Sequence, residues 1–271
     1  MAATLRRVIL LSVLGLFIAF LYGPTLTILV LSFQGPDGGL TFPMNGFSFH
    51  WFRRLFETQA VGDFGGSIRR SFALATMVMA TTVVVSLAAG MAFRRRFKGS
   101  GALFTLSVAS LIIPSILVSL GVGLLFNELG LDPDWYSSAF GAQLTWTLPF
   151  GLLIMFAVFN RFNRAWEEAA RDQGATPWQS FWHVVLPIIA PSVIGIALFG
   201  FTLSYDEFAR TLLTAGSDNT LPLEIFGMTT SVTTPVLYAL GTVTTALSFL
   251  VIGLSLGGMA LLARRRARRA G

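Results

Sequence analysis

The sequence is poor in several residues on which enzyme and metal chemistry depend. Its 271 residues include no cysteine, two histidines (His50 and His183) and one lysine, Lys98. The absence of cysteine excludes disulfides, thiolate metal ligation and cysteine nucleophiles. Because the two histidines lie far apart in the sequence, we expect no metal site.

Charged residues are also scarce. They make up 12% of the sequence, about half the share of an average soluble domain. Hydrophobic residues make up 54%, and the mean hydropathy is +0.71. A soluble domain of this size could not bury so much apolar surface. The composition therefore predicts an integral membrane protein.

The hydrophobic residues are concentrated in six long runs without charge. Each run exceeds the ~20 residues that a membrane-spanning helix needs, and none shows the strict alternation of a barrel strand. Pro235 divides the last run, so its span is expected to begin after this proline. We therefore predict an all-α integral membrane protein with six transmembrane helices, forming one domain over residues 1–271. The predicted spans are roughly 8–33, 71–93, 102–127, 140–160, 187–210 and 237–263.

Most basic residues lie in short clusters at alternate ends of these spans. With the N-terminus placed in the cytoplasm, fourteen of the nineteen Lys and Arg residues lie inside and four lie outside. This asymmetry is the positive-inside pattern, and it predicts that both termini are cytoplasmic. A net charge of +6 alone could suggest nucleic-acid binding. The placement of the charge between apolar runs argues against it.

Motifs of self-sufficient catalysis are missing. A P-loop requires G-x-x-x-x-G-K-[ST], and the residues before Lys98 do not fit it; H-E-x-x-H and G-x-S-x-G are also absent. We therefore expect no catalytic residue and no cofactor in this chain. A stand-alone channel or secondary transporter is the alternative class. Such proteins usually carry a midplane charge or inverted repeats, and neither is evident in this sequence.

A helix–turn–helix pattern occupies the inner segment 161–186. Its first half favours a helix, and Glu168 suits the first turn. Gly174 is placed to end that helix in the left-handed conformation. Thr176 and Pro177 form the pattern of a new helix start. Aromatic residues follow at Trp178, Phe181 and Trp182. This pattern predicts a small element that docks on another protein.

This segment resembles the EAA motif of ABC-importer permeases, which reads E-A-A, three residues, G, nine residues, I-x-L-P. Here the match is Glu168-Ala169-Ala170, then Gly174, then Val184-x-Leu186-Pro187, with valine in place of isoleucine. The resemblance implies a type I ABC-importer transmembrane domain whose cytoplasmic coupling helix contacts a separate ATPase. The residues implied in coupling are Glu168, Ala169, Ala170, Gly174, Leu186 and Pro187.

A second resemblance is more specific. Residues 201–208, FTLSYDEF, resemble the F-T-L-S-[MFY]-D-[DE] segment of spermidine/putrescine permeases of the PotC type. Residues 219–226, Thr233-Thr234-Pro235 and Trp51 also fit that pattern. The resemblance implies a polyamine substrate. Ser115 departs from it, because an acidic residue often follows this proline in polyamine-type members. An amino-acid-like or phosphonate solute is therefore the alternative substrate.

Two carboxylates at the end of the fifth span are candidates for the substrate pathway. Asp206 and Glu207 lie toward its outer end, where a carboxylate is costly and marks a polar pathway or an ion pair. Arg210 follows at pairing distance on a helix, so an ion pair is the alternative. For Trp51, the alternative is an anchor in the interfacial segment 46–57. The candidate pathway residues are Trp51, Ser115, Ser204, Tyr205, Asp206 and Glu207.

The resemblance also implies the rest of an assembly in the bacterial inner membrane. Its expected members are two ATP-binding cassette ATPases, a second and homologous permease, and an extracytoplasmic solute-binding protein. ATP and Mg are expected on the ATPases, none in this chain, and no nucleic acid is expected. This chain alone is not expected to transport.

Overall fold

The described part of the chain is mostly helical. A computed structural model describes residues 2–55, 57, 63–95, 97–231 and 234–270. Among these residues, β-pairing is limited to the isolated bridge between Gln34 and Phe47. The helices are α1 Ala2–Leu31, α2 His50–Arg54, α3 Phe64–Phe93, α4 Ser100–Ala109, α5 Ser115–Glu128, α6 Phe140–Arg161, α7 Ala165–Asp172, α8 Pro177–Ser180, α9 Leu186–Tyr205, α10 Leu221–Ser231 and α11 Val236–Ala270. The predicted all-α class is confirmed.

Apolar helices dominate the described residues. Those long enough to cross a bilayer are Thr4–Leu31, Phe64–Phe93, Trp135–Arg161 and Pro177–Tyr205. Shorter apolar helices are Ser100–Ala109, Ser115–Glu128 and Val236–Leu250. Each of these helices falls on one of the predicted spans, but the count of six spans stays a prediction. Of the residues used for the PotC resemblance, Thr233 lies outside the described residues.

The predicted third span, 102–127, is interrupted rather than continuous. α4 ends at Ala109 and α5 begins at Ser115, with turns between them. Pro114 precedes α5 with an extended ψ of 132°. Proline has no N–H and disfavours helical geometry in the residue before it, so the chain leaves the helix here. Non-helical backbone at membrane depth requires protein partners.

The fifth helical stretch also differs from the predicted span 187–210. It begins earlier, because α8, a π-helical turn at Phe181–Val185 and α9 follow one another without a break. It ends at Tyr205, and Asp206 already leaves helical geometry with φ −93° and ψ 2°. After Tyr205, side chains replace helical carbonyls as hydrogen-bond acceptors: the Glu207 carboxylate accepts the backbone N–H of Arg210 at 2.8 Å.

The chain divides into two compact units. One consists of Met1–Phe64 and Ile225–Gly257, and the other of Gly65–Glu224 and Gly258–Gly271. In the first unit, the Tyr238 hydroxyl donates to the Leu40 carbonyl at 2.5 Å. The second unit contains α3 from Gly65 onwards through α9. It therefore includes the segment 161–186, here called the coupling segment after its expected role, and the end of α9.

Close helix packing holds the second unit together. A Cβ on Gly151 of α6 would lie 2.1 Å from Ser86 Oγ of α3. The Thr82 hydroxyl of α3 donates to the Thr147 hydroxyl of α6 at 3.0 Å. Small residues and interhelical hydrogen bonds drive association where lipid removes the hydrophobic force. The buried apolar core of α6, α9 and the π-helical turn between α8 and α9 is Met155, Phe159, Val185, Ile189 and Ile196.

Candidate functional site

The coupling segment begins with α7, which ends in a glycine cap. Gly174 has a φ of +86° and donates its N–H to the Arg171 carbonyl at 2.8 Å. The N–H of Ala175 reaches back to the Ala170 carbonyl at 3.1 Å. This pair of bonds is the Schellman arrangement, which requires a left-handed residue at the glycine. The predicted conformation of Gly174 is confirmed.

The next helix, α8, starts at a capping box. The Thr176 hydroxyl accepts the Gln179 N–H at 3.3 Å, and the Gln179 side chain accepts the Thr176 N–H at 2.9 Å. Pro177 takes the first helical position, where its missing N–H costs nothing. Local chemistry therefore fixes both sides of the turn between α7 and α8, and the two short helices form a stiff element.

This element presents an exposed apolar surface. Trp178 is 68% exposed and Trp182 is 47% exposed. Their rings contact each other with centroids 5.5 Å apart, and Phe181 lies beside both. The exposed residues of the EAA motif are Glu168, Ala169, Gly174 and Pro187, whereas Ala170 and Leu186 are half-buried. Exposed apolar patches of this kind mark surfaces that contact another protein or the membrane.

An ion pair joins the coupling segment to the end of α3. The Arg94 guanidinium donates to the Glu167 carboxylate, and the side chains are 12% and 13% exposed. The same guanidinium lies 5.1 Å from the ring centroid of Phe159 and 5.2 Å from that of Phe162. Sequence reasoning missed this pair, because it interpreted the basic cluster around Arg94 only as a signal of topology.

A polar cavity of about 470 Å³ lies beside this ion pair. Its charged lining residues are Arg94, Arg95, Arg164, Glu167, Glu168 and Arg171. The cavity is therefore part of the coupling segment and its junction with α3. Among the described residues, no group of three or more His, Asp or Glu side chains is placed to hold a metal ion.

The six candidate pathway residues do not all fall in one unit. Trp51 belongs to the first unit, where its indole N–H donates to the Gly35 carbonyl at 3.3 Å. This bond holds the Trp51 side chain against the backbone that follows α1. The other five belong to the second unit.

Three of these five are buried, namely Ser204, Tyr205 and Glu207, and the first two pack at the end of α9. Ser204 is 3% exposed and donates its hydroxyl to the Gln143 side-chain oxygen. Tyr205 is 6% exposed and stacks on Phe201 with centroids 5.9 Å apart. In the described part of the chain its hydroxyl has no hydrogen-bond partner. Both side chains therefore contribute to packing at the end of α9.

The two carboxylates differ in exposure. Asp206 is exposed, and none of the hydrogen bonds or ion pairs among the described residues involves its carboxylate. Glu207 is 7% exposed, and its carboxylate accepts the backbone N–H of Arg210. The two neighbours thus differ: Glu207 accepts a backbone N–H, and the carboxylate of Asp206 is exposed without a partner among the described residues.

The ion pair of Arg210 with Asp206 or Glu207 that the sequence allows does not form among the described residues. Its guanidinium donates to Ser115 Oγ at 2.6 Å and to Thr145 Oγ1 at 3.2 Å. It also lies 4.7 Å from the ring centroid of Trp146. The helix ends before Arg210, so the expected spacing of one helical turn is lost. Sequence reasoning missed Thr145 and Trp146, although polar residues near a proline in an apolar run are a usable signal.

The fold and the two-helix inner segment define a class. Apolar helices with an exposed, stiffly capped EAA segment form the transmembrane subunit of an ABC importer of type I. Residues 82–269 match the family described as "Binding-protein-dependent transport system inner membrane component". The chain belongs to that family. It is thus a transport permease subunit and not itself an enzyme.

Curated relatives match most of the chain. It is 30% identical to the spermidine/putrescine transport system permease protein PotC of Haemophilus influenzae, over 88% of this chain and 91% of that protein. It is 28% identical to PotC of Escherichia coli, over 86% and 87% of the two chains. It is 27% identical to the putrescine transport system permease protein PotI of E. coli, over 85% and 83%.

Solved structures share the fold. One is a bacterial ABC transporter involved in the import of the acidic polysaccharide alginate, with a TM-score of 0.65 and 16% identity over 96% of this chain and 97% of that chain. Another is the inward-facing MetNI methionine ABC transporter, with a TM-score of 0.54 and 16% identity over 70% and 91%. These likenesses confirm the predicted fold class.

Proposed function

We propose that this permease conducts a polyamine, spermidine or putrescine, through an ATP-driven importer. The observation that carries the proposal is the similarity to PotC permeases over 88% of the chain. The matched part includes the segment FTLSYDEF, residues 201–208. Helix α9 ends within this segment at Tyr205, and the exposed Asp206 follows directly. An available carboxylate is the group that attracts an ammonium ion.

The proposed assembly contains this chain, a second and homologous permease, two ATP-binding cassette ATPases and an extracytoplasmic solute-binding protein. ATP and Mg are held by the ATPases, and this chain carries no cofactor. The chain crosses the bacterial inner membrane six times with both termini in the cytoplasm. The excess of basic residues on the inner side supports this orientation.

The coupling segment 161–186 is proposed to dock on one ATPase. The exposed Glu168 and Trp178 lie on the two short helices that meet at Gly174. Their caps stiffen the element, so it can transmit a displacement without melting. The proposed coupling residues are Glu168, Ala169, Ala170, Gly174, Leu186 and Pro187.

Asp206 is the proposed contact for the cationic solute. Among the candidate pathway residues of the second unit, Asp206 has an exposed carboxylate that forms no hydrogen bond or ion pair with a described residue. The neighbouring candidates shape its surroundings: Ser204, Tyr205 and Glu207 hold the end of α9, and Ser115 binds Arg210. Trp51 anchors the outer segment of the first unit.

The test is putrescine uptake by the complete complex with Asp206→Asn. A charged hydrogen bond contributes about 1.5–3 kcal/mol, so the KM is expected to rise roughly tenfold or more at constant assembly. Asp132→Asn is the matched control, since Asp132 is also an exposed aspartate of the second unit. An unchanged KM in Asp206→Asn removes this residue from the pathway.

A second substrate class is favoured by one observation. The Arg210 guanidinium binds Ser115, at the position where polyamine-type permeases often have an acidic residue. Arg210 is buried, so its positive charge acts on a solute through the local field rather than by contact, and that field favours a carboxylate or phosphonate group. Uptake of an amino-acid-like or phosphonate solute instead of putrescine would select this alternative within the same importer class.

A further inference from the structure

The interruption between α4 and α5 is held at one residue of α6. Ser110, at the end of α4, donates its hydroxyl to the Thr145 carbonyl at 2.5 Å. This carbonyl is free because Pro149, four residues later, has no N–H to donate. On the other side of the interruption, Ser115 and Thr145 share the guanidinium of Arg210. Both α4 and α5 are therefore attached to Thr145: α4 directly through Ser110, and α5 through Ser115 and Arg210.

Arg210 is a buried cation whose guanidinium hydrogen bonds go to neutral groups, with the buried Glu207 carboxylate as the neighbouring negative charge. The residue is 2% exposed, and its guanidinium contacts two hydroxyls and the face of Trp146. Among the described residues it forms no ion pair with a carboxylate. A buried charge is costly unless its hydrogen bonds are kept. These bonds therefore constrain the position of the backbone around Arg210.

The segment that follows α9 has further attachments to the same helices. The N–H of Leu213 donates to the Ser119 hydroxyl of α5 at 3.0 Å. The Ser138 hydroxyl, just before α6, donates to the Thr214 carbonyl at 2.6 Å. Asp206 starts this segment and is exposed. Its carboxylate is thus carried by a segment that α5 and the turn before α6 hold from two sides.

We propose that Arg210 is a positioning residue. Its guanidinium joins the start of α5 to α6 and to the segment after α9, so that the Asp206 carboxylate is held in one place. The part of this inference that concerns solute affinity rests on the proposed function. The positioning of Asp206 itself does not depend on which solute is transported.

The first test uses the absence of cysteine from this chain. Asp206→Cys introduces a single thiol here, and its labelling rate by a cationic thiol reagent is measured in the assembled complex by the mass of this chain. Ser115→Ala and Arg210→Lys each remove one or more of the charged hydrogen bonds, so the rate is expected to change about tenfold. Equal rates in all backgrounds would overturn the proposal.

Matched controls separate positioning from general damage. Ser115→Thr keeps the hydroxyl and should keep the original labelling rate. Ser107→Ala removes a hydroxyl that donates only within α4, to the Leu103 carbonyl at 2.8 Å, and should change nothing. Ser115→Ala is the mildest variant and keeps the test valid if the Arg210 variant fails to assemble.

The second test is putrescine uptake by the same complexes. Ser115→Ala should raise the KM several-fold with little change in maximal rate, and this effect should vanish in an Asp206→Asn background, because Arg210 acts through Asp206. If labelling changes but the KM does not, Arg210 positions the segment and the solute contact of Asp206 is refuted. If labelling is unchanged, the role of Arg210 is refuted whatever the KM shows.

Discussion

The cap of α7 gives a graded test of coupling, because Gly174 is required for its backbone angle alone. Its φ is +86°, and a Cβ at this position would meet nothing within 4 Å. A side chain therefore adds strain without a clash. Alanine in the left-handed region costs roughly 1–2 kcal/mol, asparagine costs less, and a β-branched residue costs more. Coupling is therefore expected to be impaired least by Gly174→Asn, more by Gly174→Ala and most by Gly174→Val.

The assay is solute-stimulated ATP hydrolysis together with uptake by the reconstituted complex. A cost of about 1–2 kcal/mol lowers the ratio of capped to uncapped element by a factor of roughly 5–30. Uptake per ATP hydrolysed should fall in the same order as the strain. Gly195→Ala on α9 is the control, since that position also has open space around a Cβ and has no positive φ.

The reasoning fails if the three variants do not follow this order. Equal loss with Asn and Val would show that any side chain at this position blocks docking, so the left-handed angle would not be the cause. Full coupling with Val would show that the cap of α7 does not contribute to transmission at all.

Two more predictions concern helix packing and the junction with α3. Gly151→Ala should lower the Tm of the detergent-solubilised complex, because its Cβ would lie 2.1 Å from Ser86 Oγ and overpacking costs about 1–3 kcal/mol; Gly141→Ala, on the same helix with open space, should not. Arg94→Met or Glu167→Gln should uncouple hydrolysis from uptake, because each leaves a mostly buried partner unpaired at a cost of about 3–5 kcal/mol. The exchange of both charges should restore part of the coupling, and no recovery would contradict the role of this pair.

Local chemistry explains what could be predicted from the sequence. The left-handed Gly174 and the capping box at Thr176 depend on residues within five positions of each other, so their patterns are visible in the sequence. The membrane helices could also be predicted, because each corresponds to one continuous run of apolar residues. These features need no knowledge of which helices are neighbours.

Contacts between distant residues could not be predicted in the same way. Arg94 and Glu167 are 73 positions apart, and Arg210 and Ser115 are 95 positions apart. Only the tertiary arrangement brings each pair together. The end of α9 was also misplaced, because hydropathy does not report that the Glu207 carboxylate takes the N–H of a residue beyond the helix.

The most direct test of the central claim is ATP hydrolysis by the purified assembly in liposomes, with its solute-binding protein and a panel of solutes. The account predicts stimulation by spermidine or putrescine, with uptake that requires ATP and all partner subunits. Conduction by this chain alone without ATP would contradict the importer, and stimulation only by a zwitterion or an anion would contradict the polyamine.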